Sequence, residues 1–137
     1  MITVDELMLR LLAAFPEFGD EWLRYTASSL YGEDEPYNHV AKLASFLVNR
    51  VQASDTAGFD RLFGCLEDAL RCASSSTRSL IIVGLIEDVQ NVSLGNSVDL
   101  EVWDQWLGPL TREAWRKVIE LWSGAEPPES FDRYVER

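Results

Sequence analysis

Apolar residues recur along this chain at intervals of three and four, which predicts helices rather than strands. The greasiest stretch, LIIVGLIEDVQNV from Leu80 to Val92, is too short to cross a bilayer, which takes about 20 apolar residues. At helical spacing Ile81, Ile82, Leu85, Ile86, Val89 and Val92 fill one arc, widened by Leu80 and Val83. Gly84, Glu87, Asp88, Gln90 and Asn91 form the remaining polar strip. Leu80–Ile86 alone is rich in β-branched residues and also fits a buried strand. The helical period continuing to Val92 favours a central helix with the other segments packed around it.

The flanking segments carry their own start and stop signals. Thr3-Val4-Asp5-Glu6 has the form of a capping box, and Val4, Leu7, Met8, Leu11, Leu12 and Phe15 follow at helical intervals until Pro16. A second, shorter helix is expected over about 20–30, carrying Trp22, Leu23, Ala27 and Leu30. A third begins at Pro36, which suits a first helical turn, and carries Val40, Leu43, Ala44, Leu47, Val48 and Val51. A fourth carries Phe59, Leu62, Phe63, Leu66, Ala69, Leu70 and Ala73. Ser74 to Thr77 is a polar link able to cap the central helix, and Asn91 to Ser97 reads as a loop. Leu100, Trp103, Trp106 and Leu107 mark a short helix ended by Gly108-Pro109. Thr111 is expected to cap a last helix with Trp115, Val118, Ile119 and Trp122 inward and the Glu113–Lys117 pair outside. The expectation is an all-α, single-domain bundle of about six or seven helices in antiparallel hairpins, with HEAT-like stacking as a further option. It covers residues 1–123, and 124–137 form an extended tail that Phe131 and Tyr134 could dock.

One internal echo stands out. Gly64-Cys65-Leu66-Glu67-Asp68-Ala69 and Gly84-Leu85-Ile86-Glu87-Asp88-Val89 share the pattern glycine, two apolar residues, Glu, Asp, apolar. Each glycine lies on the same side as the acids that follow it, so a neighbouring backbone could approach there with acids flanking the contact. Two helices reusing one solvated edge account for this, and a stacked repeat presenting acids on one ridge is the sharper alternative.

Charge narrows the function classes. The 23 acidic residues outnumber the 12 basic ones, giving −11 over 137 residues. Such a field repels nucleic acid and anionic lipid and attracts basic proteins. His39 is the only histidine, and a catalytic or metal-bound His needs orienting or ligating companions. Cys65 and Cys72 are seven residues apart on one helix, about 10 Å, too far for a disulfide, so they read as reduced packing residues. Neither a zinc site nor any cofactor is expected. Adjacent carboxylates such as Glu67-Asp68 and Glu87-Asp88 point about 100° apart on a helix, so one pair cannot hold a metal alone, and the Glu-x-x-His partners of di-iron bundles are missing. No phosphate loop or nucleophile elbow occurs. The tryptophans read as core rather than as a stacking platform. Met1 leads straight into an amphipathic pattern with no signal-like start, so a cytoplasmic location is expected.

The residues left for recognition are the acidic turn Glu33-Asp34-Glu35, the edges Glu67-Asp68 and Glu87-Asp88, and Phe131 and Tyr134 in the tail. IVGLIEDVQN at 82–91, Trp106-Leu107-Gly108-Pro109 and the Trp115–Trp122 segment together resemble a family of small, acidic, all-helical bacterial proteins of unassigned biochemistry. Some of these resemble the immunity proteins encoded beside secreted polymorphic toxins. The resemblance implies a stoichiometric, non-catalytic binder that covers a basic toxin. A helical-repeat scaffold binding a peptide is the second reading, and a concave apolar face between helices would favour it. A carboxylate and metal enzyme is the third.

Overall fold

The computed structural model describes residues 1–122. It is all-helical: α1 (Val4–Ala14), α2 (Gly19–Thr26), α3 (Pro36–Gln52), α4 (Phe59–Cys72), α5 (Ser75–Ser79), α6 (Glu87–Gly95) and α7 (Pro109–Trp122), with 3₁₀ turns at Pro16–Phe18 and Leu100–Trp106. Among the described residues no strand occurs, and the one bridge is the pair Ile2 and Ala73.

The central element is a continuous helix over 75–95. Ser74 caps it by accepting the Thr77 N–H at 3.2 Å, α5 leads into a π-helical segment Leu80–Ile86, and α6 completes it. Leu80, Ile81, Ile82, Leu85, Ile86 and Val89 are buried, so the strand alternative is not realised. The helix extends past the expected loop at 91, and its turn is confined to Asn96 and Ser97, where Ser97 takes a φ of 57°. Gln90, expected on the polar strip, is instead fully buried, with Nε2 donating to the Trp115 carbonyl at 3.1 Å. The amide nitrogen is satisfied by that carbonyl on α7, while Gln90 Oε1 is buried without a hydrogen-bond partner.

Two relationships set the layout. α3 runs beside the central helix in the same direction, with Tyr37 and Val40 against Gly84 and Gln52 Nε2 donating to the Asn96 carbonyl. α1 lies antiparallel to α4, tied at one end by Ile2 N to Cys72 O, 2.8 Å, and at the other by Arg61 to Glu17, 2.6 Å. α3 packs tightly at Gly84: a Cβ there would stand 3.1 Å from both Tyr37 Cδ1 and Val40 Cγ2.

Other expectations need correction. α2 ends at Thr26, so Leu30 lies beyond it in the turns and is 71% exposed, while Leu23, inside α2, is on its outer side at 66%. Gly108-Pro109 follows the end of the 3₁₀ segment at Trp106 and also opens the next helix, with Pro109 in the first turn of α7, where a missing N–H is harmless. Lys117 does pair with Glu113 at 2.9 Å, but it is buried. The tail with Phe131 and Tyr134 lies outside the described residues.

Candidate functional site

The acids singled out by the sequence occupy three different environments. Glu67 is buried, and its carboxylate accepts from Leu110 N at 2.7 Å, Thr111 N at 2.9 Å and Thr111 Oγ1 at 3.0 Å. The two amides are free N–H groups of the first turn of α7, and the third donor is the Thr111 hydroxyl. Gly108 has no side chain with which to cap the helix, and Glu67 supplies the oxygen from α4. Thr111 completes the box by accepting the Gly108 N–H at 2.8 Å. Glu67 is therefore an internal capping group for α7. Asp68 is exposed and paired with Arg71 at 2.7 Å.

Glu87 and Asp88 are half-buried. Burial raises Glu87 above the usual carboxylate range. Burial first, and the neighbouring Glu87 charge second, push Asp88 up to about 6. The sequence echo does not become a structural repeat: a Cβ on Gly64 would meet nothing within 4 Å, whereas Gly84 is hemmed in by α3.

Glu33 and Asp34 belong to a groove. It has a volume of about 530 Å³ and lies between α1 and a wall made by α2, the 31–36 turn and the start of α3. Val4, Met8 and Leu12, spaced by four on α1, line its length, with Leu7, Trp22, Val40 and Leu80 beneath. Leu9 stands at its edge and is 70% exposed. Glu33, Asp34 and Asp5 supply its carboxylates, and no Lys or Arg lines it. Glu35, the third acid of the turn, instead accepts from Asn38 Nδ2 at 3.2 Å.

His39 holds this wall together. Its Nε2 lies 2.8 Å from the Gly32 carbonyl, an oxygen that can only accept, so Nε2 carries the hydrogen. Tyr31 stacks on the imidazole with centroids 5.1 Å apart and planes at 12°, and Trp22 meets it edge-on at 5.4 Å. The histidine fastens the acidic turn to α3 through a hydrogen bond and ring contacts.

The ion pairs explain where the negative field is left open. Arg10, Arg24, Arg50, Arg61, Arg71, Arg112, Arg116 and Lys117 are each paired with a carboxylate elsewhere, and Lys42 lies over the Tyr25 ring. No ion pair or hydrogen bond among the described residues engages the carboxylates of Asp5, Glu33 or Asp34. Among the described residues no three His, Cys, Asp or Glu side chains gather as a metal cluster, and no helix is long and apolar enough to cross a membrane. Cys65 is half-buried and Cys72 exposed, both as free thiols, and burial raises the Cys65 thiol.

The acidic turn is visible in the sequence, and the groove beside it is not. The available signal was the run Val4, Met8, Leu12 lying beside Leu9, one apolar face too wide for a helix covered on a single side.

The profile of a family described as Domain of unknown function (DUF7674) matches residues 8–123. No curated protein matches the chain, and no solved structure does.

Proposed function

The chain belongs to the DUF7674 family, and from that premise we propose that it is a non-catalytic binding protein whose partner is a basic protein. The observation that carries this reading is the groove's composition: three carboxylates with no cation among its lining residues, in a chain of net charge −11. Unpaired surface carboxylates around apolar surface speed encounter with a cationic partner and repel acidic ones. The apolar floor then supplies the area that holds a complex together.

Two forms of this role differ in what the partner does. The resemblance to immunity proteins supports a stoichiometric cover for a basic toxin. The concave, apolar-lined groove favours the other form, a helical module that takes up a peptide segment of its partner.

The test is affinity capture by the tagged full chain from its own cells, washed with NaCl raised from about 0.1 to about 1 M. That shortens the screening length from about 10 to about 3 Å. The reading expects a basic protein that is released as salt rises. A partner that is acidic, or whose retention ignores salt, would contradict it. Co-expression separates the two forms: growth arrest by the captured protein, relieved by this chain, identifies an immunity protein, and a harmless partner removes that form while leaving the binding role.

A further inference from the structure

We propose that the groove between α1 and the start of α3 receives one amphipathic α-helix of the partner, entering with its apolar face and carrying Lys or Arg at its flanks. The inference rests on the binding role above and specifies the occupant.

Val4, Met8 and Leu12 are half-buried and spaced by four, so they form one ridge of α1. Such a ridge packs against the corresponding ridge of a second helix. From Val4 to Leu12 the rise is about 12 Å, which matches apolar anchors at i, i+4 and i+7 of a docked helix. Leu9 beside the ridge is 70% exposed, so apolar surface continues past the rim.

Charge decides among the occupants. Asp5, Glu33 and Asp34 meet no cation in the described residues, so a segment bearing Lys or Arg completes them. A second copy would bring the same acids and a like charge of −11. The chain's own residues 123–137 carry Glu126, Glu129, Asp132 and Glu136 against Arg133 and Arg137, and their net charge is also negative. Nucleic acid brings only phosphates to this rim.

The probe is a fluorescein-labelled synthetic peptide of about 14 Leu and Lys residues in amphipathic helical order. A peptide of the same composition in alternating order is the comparison, and anisotropy is read with the full chain. We expect the helical peptide to bind about tenfold more tightly than the alternating one. Asp34→Lys should weaken it about tenfold, and Met8→Gln and Leu9→Gln should each do so several-fold. Glu101→Lys, an exposed acid away from the groove, should change affinity less than about twofold. Leu9 is exposed, so its variant keeps the test valid if Met8→Gln fails to fold. Equal losses at Glu101 and in the groove would mean attraction to the general field, overturning the groove assignment and leaving the binding role. No binding of either peptide would overturn the groove assignment and leave the binding role to the affinity capture. A tenfold gain in affinity on Phe131→Ser with Tyr134→Ser would identify the chain's own tail as the occupant and overturn the partner helix.

Discussion

The Glu67 carboxylate accepts the Thr111 backbone N–H at 2.9 Å across 44 residues of sequence, so a side chain of α4 closes the first turn of α7. Gly108 has to be glycine for this closure, since a Cβ there would stand 2.7 Å from Glu67 Oε1. Glu67→Gln presents an NH₂ where two N–H donors and a hydroxyl need an acceptor. We expect a loss of about 2–3 kcal/mol in urea or thermal unfolding. Gly108→Ala should cause a similar loss through displacement of the same carboxylate. The double variant should fall short of additive, because both changes break one cap.

Asp88 gives stability a pH dependence of defined sign. Its folded value of about 6 exceeds the unfolded value near 3.9, so the folded state favours the protonated form. Its contribution is best below about pH 4, declines as pH rises, and reaches its full penalty above about 6. Asp88→Asn is expected to stabilise the protein at pH 7, by about 3 kcal/mol if solvent screened nothing and by on the order of 1 kcal/mol at this half-buried position. The gain should vanish near pH 4. Urea midpoints at the two pH values read it directly.

Gly84 sets how near α3 can come to the central helix. Alanine gains helix propensity of about 1 kcal/mol against contacts at 3.1 Å, one with the half-exposed ring of Tyr37 and one with buried Val40. The two effects offset, and Gly84→Ala should stay within about 1 kcal/mol of the parent. Gly84→Leu cannot be absorbed by a small ring movement. It should destabilise by about 1–3 kcal/mol, measured by thermal unfolding.

His39 predicts a separation between stability and binding. His39→Phe keeps ring contacts with Tyr31 and Trp22 but removes the 2.8 Å bond to Gly32. A loss of about 1 kcal/mol is expected, together with weaker binding of the Leu/Lys helix, because the turn bearing Glu33 and Asp34 loses its fastening. Unfolding and anisotropy on the same sample check both arms.

Local signals made the helices legible. The Thr3 cap forms, with Glu6 N donating to Thr3 Oγ1 at 3.3 Å, Pro36 opens α3, and the apolar faces of α3 and α4 are the ones that become buried. What escaped the sequence was set by partners distant along the chain. Glu67 reads as surface because its three donors lie more than 40 residues away, and Gln90 reads as polar strip because Trp115 supplies its carbonyl. The two Gly–Glu–Asp segments diverge because matching local patterns met different neighbours, open space at Gly64 and α3 at Gly84. Periodicity marks a helix's apolar face but not which part of that face the fold leaves uncovered, so the groove had no unambiguous trace in the sequence.

The most direct measurement is an amide NMR titration of the ¹⁵N-labelled full chain with the helical Leu/Lys peptide. The account predicts that the largest shifts fall on Val4, Met8, Leu12, Tyr31, Asp34 and Val40. Shifts centred instead on Asp88 and α6, or spread evenly over the acidic surface, would contradict it.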